Sequence, residues 1–94
     1  MRSQNKLRRR VGELIKSQAL PVEMIEPGKE LKVAELGHIW VENGGRDAVL
    51  VAKPIGRKAE TFPFAQNDDS DIARATTRAI GALTTPLADG AKPL

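Results

Sequence analysis

The 94-residue sequence has no cysteine and no tyrosine, one histidine, and three aromatic residues in all, Trp40, Phe62 and Phe64. Without cysteine, disulfide staples and thiolate metal sites are excluded, and a reducing compartment, the cytoplasm, is the default location. No apolar run approaches the roughly 18 residues of a membrane span, and no apolar stretch follows the basic first residues as a secretory leader requires. A membrane partner is therefore not expected. The shortage of large rings thins the core, because rings carry much of the buried area of a small domain. A chain of this length forms one domain at most and buries only about 60% of its unfolded surface. Pairing with a second copy is a common way to cover what remains, so a homodimer is the expected assembly.

What is present is charge, unevenly spread. The formal net charge is +3, yet residues 1–17 hold Arg2, Lys6, Arg8, Arg9, Arg10 and Lys16 against Glu13, a local +5 that leaves −2 for the rest. Only the N-terminal segment can meet a polyanion as a concentrated charge. Leu7, Val11, Leu14 and Ile15 fall on one helical face there, so the segment reads as a basic amphipathic helix closed off before Pro21.

The most ordered local pattern lies between His38 and Lys53. Two β-prone runs, His-Ile-Trp-Val-Glu and Asp-Ala-Val-Leu-Val-Ala-Lys, flank Asn43-Gly44-Gly45-Arg46, and an Asn-Gly pair between such runs is a strong hairpin signal. Both faces of this pair carry apolar residues, Ile39 and Val41 on one side and Trp40, Val49 and Val51 on the other, which marks it as central or interface-forming. Residues 29–36 are ambiguous: Leu31 and Val33 alternate with charges as in a strand leading into the hairpin, the favoured reading, with a break at Gly37, while Leu31, Ala34 and Glu35 would also suit a short helix. Pro27-Gly28 reads as a turn. Residues 59–64 form a third short run, with Phe62 and Phe64 on one face and Pro63 restricting it to an edge. The second helix is announced by Asp68, Asp69, Ser70 and Asp71, acidic and hydroxyl groups suited to free N–H groups at a helix start. Ile72, Ala75, Ala79, Ile80 and Leu83 line its apolar face, and Pro86 ends it.

Four patterns invite a chemical reading. Lys6, Arg8, Arg9, Arg10 and Lys16 could contact nucleic-acid phosphates with a marked salt dependence, but three successive arginines fan around a helix and no aromatic residue is interleaved for base stacking. Asn67, Asp69 and Asp71 alternate as in the first half of a calcium loop, yet Ile72 stands where that loop needs glycine and Arg78 where it needs glutamate, so helix capping accounts for them better. His38 and Glu42 could be paired as acid and base, but no nucleophile or oxyanion donors complete the set, and Ser3, Ser17 and Ser70 sit in no nucleophile elbow. Gly44-Gly45 lacks the following Lys-Ser/Thr of a phosphate loop. No catalytic, cofactor or metal residue is assigned.

The segment from Leu36 to Leu83 resembles a family of small bacterial proteins, found largely in alphaproteobacteria and classed as a domain of unknown function. The likeness rests on Ile39-Trp40-Val41-Glu42-Asn43-Gly44-Gly45, then Val49-Leu50-Val51, then a helix containing alanine and arginine. It covers about half of the chain. The N-terminal basic segment and Phe62-Pro63-Phe64 have no counterpart in it. The resemblance implies a strand–turn–strand–helix unit and no known activity.

The expectation is an α+β fold: a small antiparallel sheet containing the hairpin at 38–53, packed by a C-terminal helix at 70–84, with an N-terminal basic helix. Residues 1–20 form a basic helical segment free to move, residues 21–85 a single domain, and residues 86–94 a disordered tail. The expected function is non-enzymatic, through contact with a protein partner or with itself by the hairpin edge or the alanine-rich helix face. The alternative is a nucleic-acid-binding accessory protein using the N-terminal helix.

Overall fold

The first helix, α1 (Gln4–Ser17), places Leu7, Val11 and Ile15 one turn apart on a single face, and all three are buried. In the computed structural model residues 4–25, 30–44 and 47–84 are described. After α1 the chain forms β1 (Val22–Ile25), β2 (Glu30–Val33), β3 (Gly37–Gly44), β4 (Asp47–Pro54), β5 (Glu60–Phe64) and helix α2 (Asp69–Thr84). The five strands make one sheet in chain order, and each neighbouring pair is antiparallel. The fold is therefore α+β, a meander flanked in sequence by two helices.

Both helices lie on the same side of this sheet. Helix α1 touches β1, β2 and β3, helix α2 touches β4 and β5, and the two helices touch each other. The core between helices and sheet is built from Leu7, Val11 and Ile15, from Leu31, Val33, Ile39, Val41, Leu50 and Ala52, from Phe64, and from Ile72, Ala75, Ala79 and Leu83. Phe62 packs partly against it. Helix α1 is thus part of the domain core rather than an appendage.

The expected hairpin agrees with β3 and β4 to within one residue at each outer end. Its turn is displaced: Asn43 and Gly44 pair with Ala48 and Asp47 as the last residues of β3, which leaves residues 45 and 46 between the strands, outside the described residues. The Pro27-Gly28 turn and the tail at 86–94 also fall outside them. The hairpin lies inside the sheet: β2 pairs with β3 over residues 37–39 and β5 with β4 over residues 48–52, so those stretches of its two edges are already occupied. The alanine-rich face of α2 is likewise spent, because Ala75, Ala79 and Ala82 are buried against the sheet side of the helix.

The true edges are β1 and β5. Strand β1 has only four residues and carries Glu23. Strand β5 carries Pro63, which has no N–H to offer, and the Pro63 carbonyl accepts a hydrogen bond from Arg74 Nη2 at 3.1 Å. Short strands, charge and proline are the usual means by which a sheet edge is made a poor template for further strands.

Two backbone joints fix how the layers meet. Gly37 has φ +154°, and a Cβ placed there would lie 2.3 Å from the Lys53 carbonyl oxygen, 2.9 Å from Pro54 Cα and 3.0 Å from Leu83 Cδ2. Here the start of β3, the end of β4 and the last turn of α2 come together with no room for a side chain. At the end of α1, Ala19 adopts φ 62°, and its N–H donates to the Lys16 carbonyl at 2.8 Å. This left-handed residue closes the helix in the place glycine usually takes.

Replacing Gly37 by alanine is expected to lower unfolding free energy by about 2–4 kcal/mol, since both backbone conformation and packing oppose the new methyl group. Gly12 lies inside α1, and a methyl group added there would meet no atom within 4 Å. Gly12→Ala is therefore expected to raise stability by about 0.5–1 kcal/mol. Urea denaturation of the two variants checks both the signs and the contrast.

Candidate functional site

The N-terminal basic residues do not converge. Arg10 turns toward α2, where its Nε and Nη2 each donate at 2.9 Å to the two carboxylate oxygens of Asp69, and its Nη1 donates to Glu13 at 3.3 Å. The Asp69 hydrogen bonds, then that to Glu13, hold the guanidinium above its already high ordinary pKa. The forked contact is the geometry in which arginine matches a carboxylate best. Arg8 is half-buried, whereas Lys6, Arg9 and Lys16 are exposed, with Glu13 exposed among them. Helix α1 therefore presents a sparse basic stripe interrupted by an acid, and one of its five candidate cations is committed to the junction with α2.

The acidic group before α2 is equally committed. Asp68 Oδ1 accepts from Ser70 N at 3.1 Å, from Ser70 Oγ at 2.8 Å and from Asp71 N at 3.3 Å, and the Asp68 carbonyl accepts the first helical bond from Ile72 N. Asp68 is thus the N-cap. Asp71 Oδ2 accepts from Ala65 N at 2.7 Å and Asp71 Oδ1 from Arg74 Nε at 2.6 Å, tying the end of β5 to the first turn of α2. Asn67, Asp69 and Asp71 do not gather around a common point, since Asp69 faces Arg10 and Asp71 faces Ala65 and Arg74. Among the described residues no group of three metal-ligating side chains occurs, and no helix is long and apolar enough to cross a membrane.

The more telling surface is the side of the sheet away from the helices. Directly opposed residues in antiparallel strands share a face, so the register arranges this side in three rows. Glu23, Lys32, His38 and Lys53 cross β1 to β4; Trp40, Val51 and Thr61 cross β3 to β5; Glu42, Val49 and Pro63 cross the same strands one step further on. Asp47 follows beyond, opposite Gly44. Among the described residues no helix packs on this side. Even so Val51 is only 3% exposed, although it lies outside the contiguous cluster between helices and sheet. Its direct cross-strand neighbour on this face is Trp40.

Trp40 is half-buried, and its indole Nε1 donates to Glu42 Oε2 at 2.9 Å. The chain's one tryptophan thus lies outside the core cluster, beside Val51 in the register and held by a carboxylate two residues on. Glu42 is engaged by that indole and separated from His38 along the strand by Trp40, an arrangement that gives His38 no carboxylate partner from its own strand face. Beyond Lys53 the β4–β5 connection continues the positive end: Lys53, Gly56, Arg57, Lys58 and Glu60 line a shallow concavity of about 680 Å³. Arg57 Nη2 donates at 3.1 Å to the Ala82 carbonyl, one of the last-turn acceptors of α2 that have no partner within the helix. Ile55, beside this loop, is 64% exposed.

Alternation in the sequence marks the hairpin as apolar on both faces, and the rows around Trp40 are that second apolar face. The polarity of this face is not visible in any local segment, because its ends are assembled from four different strands.

The hydrogen bond from Arg74, and next that from the Ala65 N–H, hold the Asp71 carboxyl below its ordinary range. A carboxylate depressed in the native state contributes stability that is fully present above the unfolded-state pKa, near 4, and is lost as pH falls through the native value. Asp71→Asn is therefore expected to melt at a lower temperature than the parent at pH 7, with the gap closing below about pH 4; thermal scans across that range measure it.

Comparison with family models, with curated proteins and with solved structures finds no match to this chain.

Proposed function

We propose that this protein is a small non-enzymatic binding module that works through protein contact, and that the open sheet face around Trp40 is its docking surface. The observation that carries the reading is the position of Trp40. A tryptophan on a solvent-facing strand position, with Val49 and Pro63 beside it and charged residues at either end, has the make-up of an interface patch: an aromatic anchor inside a polar rim. Both helices pack on the other side, β1 is short and β5 carries Pro63, and among the described residues no helix covers this face. The cytoplasm is proposed as its compartment, supported by the absence of cysteine. The likeness of residues 36–83 to small alphaproteobacterial domains is part of the same proposal and adds no activity to it.

The alternative of nucleic-acid binding through Lys6, Arg8, Arg9, Arg10 and Lys16 has less support, since Arg10 is drawn to Asp69 and Glu13 interrupts the exposed stripe. A photo-crosslinking amino acid in place of Val49, introduced in cells producing the full chain, tests the reading. Protein adducts are expected from position 49 and not from the same group at Arg78, an exposed position on α2. Adducts at neither position, or equally at both, would refute it.

A further inference from the structure

We infer that the occupant of the open face is a second copy of this chain, docked face to face about a two-fold axis that lies in the interface and crosses the strands near Trp40. This deepens the protein-contact reading and rests on it.

The face is charged with opposite sign at its two ends. Lys32, His38 and Lys53 occupy one row, while Glu42 and Asp47 lie at the far end, with Trp40 and Val51 between. Glu23 is opposite Lys32 at the β1 edge, so the positive end is strongest at Lys53. A closed pair of identical surfaces must be self-complementary, and two orientations of the in-plane axis are open to a flat sheet. An axis parallel to the strands and running along β3 at Trp40 sets Lys53 of one copy over Lys32 of the other, like charge on like. An axis across the strands reverses the face end to end. It brings His38 of one copy over Glu42 of the other, Lys53 over Val49 with Glu42 diagonally beside it, about 4.8 Å to the side, and Trp40 and Val51 over the partner's Trp40 and Val51. Only the second choice satisfies charge and apolar contact together. Two sheets packed in this way sit about 10 Å apart, a distance that lysine and glutamate side chains span from opposite sides.

The size of the face sets the strength. Five strands about 4.8 Å apart, each with about six residues at about 3.3 Å, present roughly 500 Å² per copy. Two copies then bury about 1,000 Å², the lower limit for a specific interface, so dissociation in the micromolar range is expected.

Sedimentation velocity of the full chain between about 5 and 500 µM, with circular dichroism to verify folding of each variant, tests the inference. The parent is expected to pass from monomer to dimer across that range. Trp40→Ala should weaken dimerisation about tenfold or more, as loss of a central anchor does. Glu42→Lys and Lys53→Glu should each weaken it about threefold or more, and the two together should return it to within about twofold of the parent. Glu42 and Lys53 are four residues apart along the register, about 13 Å, so rescue reports a contact between copies rather than within one. A parent that stays monomeric throughout overturns the inference, as does a double variant as weak as, or weaker than, either single one. Should adducts form at position 49 with some other protein while the chain sediments as a monomer, the protein-contact reading stands and the second copy is wrong.

Discussion

Leu7, Val11 and Ile15 from one helix and Ile72, Ala75, Ala79 and Leu83 from the other meet Ile39, Val41, Leu50 and Ala52 on one side of the two central strands. Nearly every other property of the molecule depends on that convergence. Each fully buried leucine or isoleucine side chain contributes about 1.5–3 kcal/mol, and a chain with two helices gains most by placing both where they also bury each other. The alanines of α2 serve the same end, because a smooth helix face lets β4 and β5 approach closely. With both helices on one side, only strand side chains face outward on the other among the described residues, and Trp40 and Val51 stand side by side at its centre.

Most of the charged residues that stand out in the sequence are joints of this architecture. Arg10 and Asp69 join the two helices, Asp68 caps α2, Asp71 and Arg74 bind the start of α2 to β5, and Arg57 reaches the carbonyl of Ala82 near its end. Gly37 closes the same region from the sheet side. These contacts explain why the acidic run that looks like half of a metal loop is arranged around neighbours in the fold, and why Arg10, the last of the three arginines, turns to Asp69.

The parts of this fold that can be read from the chain are those with local periodicity. Strands β3 and β4 are β-prone runs with apolar residues on both faces, β2 alternates at Leu31 and Val33, and α2 combines acidic capping residues with a 3.6-residue apolar spacing. Strand β1 escapes such a reading, because Val-Glu-Met-Ile is too short for a period and is fixed by pairing with β2 and by contact with α1. The turn signal in the hairpin falls two residues early, since Asn43-Gly44 has the chemistry of a turn but is held in the ladder by Ala48 and Asp47. The contact of Arg10 with Asp69 spans 59 positions and has no local signature. The candidate site shows the same division. That both hairpin faces are apolar follows from alternation alone; which face the helices leave bare is decided by tertiary packing.

Pro63 has a consequence for how copies of this chain can accumulate. Addition of strands to a sheet margin has no natural end, and each new copy would offer the next the same template. A margin with a residue that cannot donate, and whose carbonyl is already held by Arg74, interrupts that chain reaction at its first step.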